Sequence, residues 1–227
     1  MKQAGATGSV AVWDLPVRLF HWALVVLIVF SYVAIKTDQI ERHIFSGKLI
    51  LSLILFRILW GFLGSETARF ASFLKGPGTT LGYFRDLLRG KARRYLGHNP
   101  MGAWSALALI LLIGLQAGAG LFATDDIMTD GPLKYLVSDA ASSRLTTLHK
   151  YGENVLVVLI VLHLLAVLFY VVFKKDNLVK AMVTGRKTVG MGDPTGPVVR
   201  GGSVILALVL LAISVAIVFG GLYLYGR

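Results

Sequence analysis

Five runs of apolar residues, each close to the length that crosses a bilayer, constrain this chain more than any other feature in it. They cover Pro16 to Ile35, Ile44 to Leu63, Met101 to Phe122, Leu148 to Phe173 and Ser203 to Tyr225. About 20 apolar residues rise ~30 Å as a helix, the thickness of the hydrocarbon core. In lipid every backbone N–H and C=O must be satisfied within the protein, so the runs are expected as helices. With 56% hydrophobic residues, 15% charged residues and a mean hydropathy of +0.71, the chain of 227 residues has too little polar surface for a soluble domain. The expected class is an all-α membrane protein. The first run has no short basic region before it and no small-residue cleavage site after it. It reads as a retained anchor, not a removable signal.

The net charge of +11 suggests nucleic acid less than it suggests topology, because its placement follows the positive-inside rule. Arg69, Lys75, Arg85, Arg89, Lys91, Arg93 and Arg94 lie between the second and third runs, and Lys174, Lys175, Lys180, Arg186, Lys187 and Arg200 follow the fourth. Both connections are expected in the cytoplasm. The connection after the third run carries Asp125, Asp126, Asp130 and Asp139 against Lys134 and Arg144, and is expected outside. The N-terminus is then cytoplasmic and the C-terminus external. Thr80 to Arg89 puts Leu81, Phe84, Leu87 and Leu88 opposite Arg85, Asp86 and Arg89, which predicts an interfacial helix. Gly185 to Gly202 is polar and rich in Gly and Pro, the composition of a flexible linker. The chain therefore divides into a four-span part over 1–187, a linker over 188–202 and a fifth helix over 203–227. No internal repeat or low-complexity tract interrupts this order.

Four of the five histidines, His21, His43, His149 and His163, fall in or at the ends of these runs, where an ionisable group is costly and usually functional. A single histidine at a helix end can simply bond a neighbouring backbone. The spacing argues for more. His149 and His163 are fourteen residues apart, which is ~21 Å of rise and about 40° short of four turns, so they point the same way at two depths. With alternating spans, His43 shares the outer depth with His149, and His21 shares the inner depth with His163. Two facing imidazoles with an apolar gap suit a six-coordinate b-type haem, whose iron takes one axial nitrogen from each side. Two pairs so far apart cannot converge on one metal ion. The chain has no cysteine, so an iron–sulfur cluster or a c-type attachment is excluded. A proton relay would need intramembrane carboxylates, and Glu153 is the only one.

Several other groups carry two readings each. Arg57 lies fourteen residues after His43, near the inner depth, and either pairs with a haem propionate or snorkels to the headgroups. Arg18 is an interfacial anchor first and an inner-propionate partner second. Lys48 and Lys150, each beside an outer histidine, are candidates for the outer propionates. Gly114, Gly118 and Gly120 form a small-residue face that admits a close helix or a flat macrocycle. His98, in LGHNP before the third run, reads first as a cap or surface group and second as a quinone contact, with Asn99 and Pro100 starting the helix.

Taken together, VWDLPVRLFHW at His21, HIFSGKLILSLILFRILWG from His43 through Arg57, YLGHNPMGAW at His98 and LHKYGENVLVVLIVLHLLAVLFY from His149 through His163, followed by KKDNLVKAMVTGRK, carry a resemblance. The sequence resembles the di-haem cytochrome b subunits of bacterial nickel–iron hydrogenases and the related bacterial b561-type cytochromes, over roughly residues 12 to 187. The resemblance implies a four-helix haem-binding transmembrane bundle in the bacterial cytoplasmic membrane, with His21, His43, His149 and His163 as ligands of two haem b groups. It also implies quinone exchange near one haem and a redox partner at the other side. The fifth helix departs from that pattern and leaves the partner open. The expected function is electron transfer between a periplasmic hydrogenase or c-type cytochrome and the quinone pool of a respiratory chain, as a subunit of a quinone-linked oxidoreductase. The alternatives are a small solute, metal or proton transporter that uses the histidines, and a passive anchor.

Overall fold

The computed structural model describes residues 8–125, 129–189, 199 and 202–226. Asp126 of the acidic connection, Arg200 and most of the expected linker lie outside the described residues. Among the described residues eight α-helices follow one another: α1 (Leu15–Lys36), α2 (Ile40–Leu63), the single turn α3 (Phe70–Phe73), α4 (Pro77–Leu88), α5 (Pro100–Gly120), α6 (Asp139–Val172), α7 (Leu178–Thr184) and α8 (Val204–Tyr225). Five of them, α1, α2, α5, α6 and α8, are long and apolar enough to cross a membrane. The protein is an all-α multi-pass membrane protein with a fifth, C-terminal span. Its apolar side chains face outward as readily as inward: on α6, Leu162, Leu164, Leu165 and Leu168 are each more than half exposed. In water that would be a liability, but acyl chains solvate such a face.

Three elements differ from the sequence reading. The helix α6 begins at Asp139, nine residues before the apolar run, because DAASSRLTT is helix-compatible although too polar for lipid. The interfacial helix α4 starts three residues early, at Pro77, whose fixed φ suits a first turn. A two-stranded antiparallel sheet also joins β1 (Gly8–Ala11) to β2 (Arg186–Val189), with Gly8 opposite Val189 and Ala11 opposite Arg186. The first residues of the expected linker are therefore a strand. Gly185 makes this turn possible, ending α7 at φ 77°, where a side chain is strained, and its carbonyl accepts from the N–H groups of Val12 and Trp13.

Packing divides the chain into two compact units, one formed by residues up to Leu19 with Leu59–Leu107 and His163–Ala207, the second by Phe20–Ile58, Ala108–Leu162 and Leu208–Arg227. The first is organised by buried carboxylates. Asp14, 7% exposed, caps α1 by accepting the Val17 N–H at 2.7 Å; its other oxygen accepts Trp60 Nε1 at 3.0 Å and the Ser65 hydroxyl. The start of α1 is thereby pinned to the end of α2. Asp176 receives Lys187 Nζ at 2.8 Å and lies 3.7 Å from Arg94. Burial pushes the Lys187 amine below its ordinary range, and Asp176 partly offsets this. Tyr83 bonds Tyr170 hydroxyl to hydroxyl at 2.6 Å, and burial, with that bond, pushes the Tyr83 hydroxyl above its ordinary range. Asn99 caps α5 through the Gly102 N–H at 2.8 Å, as its sequence predicts.

The second unit is held by hydroxyl-to-backbone bonds. Ser142 donates to Phe122 O at 2.7 Å, and Thr146 Oγ1 accepts the Thr124 N–H at 3.0 Å, which fastens the start of α6 to the end of α5. The fifth span joins this unit through Phe219, whose ring centroid lies 6.3 Å from that of Phe45, and through the Tyr135 hydroxyl, which donates to Tyr225 O.

Candidate functional site

The second unit brings His43 of α2 and His149 of α6 face to face, with ring centroids 5.9 Å apart and planes at 77°. What fixes each ring is a backbone carbonyl. His43 Nδ1 lies 3.0 Å from Ser31 O, and also 3.0 Å from the Ser31 hydroxyl; His149 Nδ1 lies 2.9 Å from Gln116 O. A carbonyl can only accept, so each Nδ1 carries a proton, and the tautomer this selects for a neutral imidazole is the one with its lone pair on Nε2. That is the protonation state a metal needs, and an N–H bonded behind the ring is the usual way of orienting such a ligand. Metal–nitrogen bonds of ~2 Å to two rings on opposite sides of one atom place their centroids ~6 Å apart, close to the observed separation. The pair would hold a haem iron through its two Nε2 atoms, and the bound haem would supply a one-electron couple.

The surroundings suit a flat group beside that pair. Gly47 stands one turn after His43, and Gly118 lies on α5; a Cβ at either would meet nothing within 4 Å. Gly120 is different, since a Cβ there would stand 2.9 Å from His149 Cε1. Only glycine leaves the ring in place. Gly114 serves helix packing, its Cβ position lying 3.2 Å from Ile54. The small-residue face thus packs a helix at Gly114, seats a ring at Gly120 and leaves open space at Gly118. Gln116 is doubly engaged, because its side chain also donates to His149 O at 2.8 Å.

The remaining predicted residues are placed as follows. His21, on α1, belongs to the second unit and packs edge-on against Trp22 at 5.0 Å, whereas His163, on α6, belongs to the first. Arg57 is 4% exposed, so its guanidinium lies inside the protein. Arg18 donates to Val183 O at 2.5 Å, at the end of α7, where a cation complements the helix terminus. Lys48 is half-buried and Lys150 exposed. Glu153 pairs with Lys36 at 2.7 Å, so the one carboxylate of the fourth span is engaged by a cation at the end of α1. His98 lies between Trp13 and Phe73, with centroids at 4.6 Å and 4.5 Å, as part of an aromatic cluster in the first unit.

Sequence reasoning passes over Ser31, Gln116 and Gly47. Gly47 has a legible signal, four residues from His43. Ser31 and Gln116 act on the rings through main-chain oxygens, which no residue type reveals.

Residues 12–185 match the family model described as prokaryotic cytochrome b561. Similar proteins include a "Probable Ni/Fe-hydrogenase B-type cytochrome subunit" of Rhodobacter capsulatus, 26% identical over 220 residues that cover 79% of this chain and 82% of that protein. Proteins of the same description from Bradyrhizobium diazoefficiens and Rhizobium leguminosarum bv. viciae are each 21% identical, covering 82% and 79% of this chain and 89% of each relative. No solved structure matches the chain.

Proposed function

The chain belongs to the prokaryotic cytochrome b561 family, and from that premise we propose that it is a di-haem b-type cytochrome passing electrons between a periplasmic hydrogenase or c-type cytochrome and the quinone pool of the bacterial cytoplasmic membrane. The observation that carries this reading is the carbonyl-locked pair of His43 and His149. A bound haem supplies a one-electron iron couple there. The protein's part is to hold two imidazoles with Nε2 unprotonated, to exclude water with the apolar faces of α2, α5 and α6, and to orient the rings through main-chain carbonyls. His21 and His163 are assigned to the second haem on depth along the spans, with Arg57 as the buried cation that would favour its reduced state. Quinone is assigned to that inner side, near His163. Arg18, Lys48 and Lys150 are candidates for propionate contacts. The cytochrome part is assigned to 1–187 and the fifth helix to 203–227, joined by a linker over 188–202.

Pyridine haemochrome assay of the purified protein should give two haems per chain; one haem in fully loaded protein would contradict the two-pair scheme. On addition of a quinol analogue the His21/His163 haem should reduce first, and Arg57→Leu should lower its potential. If the other haem reduces first and Arg57→Leu moves neither potential, the quinone assignment is wrong. An N-terminus in the cytoplasm requires that a cysteine placed at Asp130, but not one at Lys91, be labelled from outside.

A further inference from the structure

The first unit contains a polar cavity of about 250 Å³ whose wall includes Arg94, Lys175, Asp176, Lys180, Arg186 and Lys187. Five cations stand against one carboxylate, a formal excess of four positive charges (five minus one). The carboxylate is already engaged inside the wall, holding Lys187 at 2.8 Å and lying 3.7 Å from Arg94. Lys187 is 5% exposed and also donates to Tyr95 O at 3.3 Å, so one ammonium is built into the wall and does not wave in solvent. Arg94 donates to Thr188 O at 3.2 Å, and Arg186 donates to both Ser9 Oγ and Ser9 O, at 2.9 Å and 3.1 Å. These bonds orient the guanidinium groups. Lys175 and Lys180 are exposed, and no carboxylate among the described residues pairs with either. A concave site lined by five cations, one of them buried and two more oriented by hydrogen bonds, favours a compact anion with several acceptor oxygens, which is the chemistry of a phosphate group.

A second observation narrows the source. Residues neighbouring the cavity in sequence present exposed apolar groups: Phe173 is 72% exposed, Val179 46% and Val183 57%. Val179 and Val183 are one turn apart on α7 and share a face. A free phosphate ion has no use for that skirt, whereas a lipid has an acyl chain to lay on it and a headgroup for the cations. We propose that this cavity seats the phosphate headgroup of an anionic phospholipid, with its acyl chains against Phe173, Val179 and Val183.

The test uses holoprotein stripped of lipid in a non-ionic detergent, titrated with phosphatidylglycerol, phosphatidylcholine or inorganic phosphate, with the thermal midpoint and native mass spectrometry as readouts. Phosphatidylglycerol should raise the midpoint saturably and be retained in about one copy, while the zwitterionic lipid and phosphate leave the midpoint unchanged. At about five-fold per cation, the double change Lys175→Ala with Lys180→Ala should weaken the apparent affinity roughly 30-fold. Both positions are exposed, and among the described residues neither side chain bonds a group that folding depends on, so arginine at both should restore binding. Lys91→Ala with Arg93→Ala removes the same charge from exposed positions outside the cavity, and should leave the affinity within about two-fold. Equal loss in both double variants would reduce the effect to diffuse charge and overturn the site. Equal saturation by inorganic phosphate would overturn the lipid assignment, and no shift with any of the three would overturn both.

Discussion

The two units solve the same problem, holding polar groups in a lipid-facing protein, with different chemistry. Around Asp14 and Asp176 the organising groups are carboxylates, each gathering two or more donors from distant parts of the chain. Around His43 and His149 they are main-chain carbonyls, which orient a ring nitrogen without adding charge. The difference follows from what each region must do. A buried carboxylate is a strong staple, but beside a metal ligand it would favour the oxidised metal and compete for protons. Neutral dipoles fix the same geometry and leave the potential to the cofactor's own surroundings.

The largest effect expected from breaking this contrast is at Asp14. Asp14→Ala removes the cap of α1 and strands the Trp60 and Ser65 donors in a buried place, at a cost of roughly 3 kcal/mol. Denaturant titration should show that loss while the spectrum of the haem proposed at His43 and His149 stays unchanged; a changed spectrum would mean that the staple also shapes that site. A smaller and local effect is expected at Gly120. Gly120→Ala drives a methyl against the His149 ring, 2.9 Å away, so the ring must turn off its carbonyl. Displacing an oriented ligand this way should weaken retention of that one haem by about 10-fold to 100-fold, with the haem proposed at His21 and His163 retained. The smallest effect belongs to Gln116→Leu. The carbonyl of residue 116 survives the change, and only the side-chain bond to His149 O is lost, worth about 1 kcal/mol. Haem retention and band positions should be unmoved; if they shift as far as in Gly120→Ala, the side chain, and not the main chain, orients the ring.

The spans were the most legible part of the fold because the bilayer imposes a length that composition alone can meet. The His43–His149 approach was legible for a related reason, since helix rise converts residue spacing into depth. The β1–β2 pairing was not, because it joins four residues near the chain's start to four at 186–189, and nothing local in GSVA or RKTV announces a partner so distant. Asp14 stands just before the run expected to begin at Pro16, yet its role depends on Trp60 and Ser65, 46 and 51 residues away. Polar residues such as DAASSRLTT also hid the first turns of α6, since hydropathy reports on lipid and not on helix.

That long helix has a mechanical consequence. As a continuous element of 34 residues, α6 is ~51 Å from end to end, well beyond the ~30 Å of a hydrocarbon core. His149 and His163 both ride on it, so the interval between these two proposed ligands is a ruler written in backbone hydrogen bonds. Sliding or tilting of neighbouring helices, as a bilayer thickens or thins, can alter the angle at which a facing histidine meets its partner. It cannot stretch the ruler.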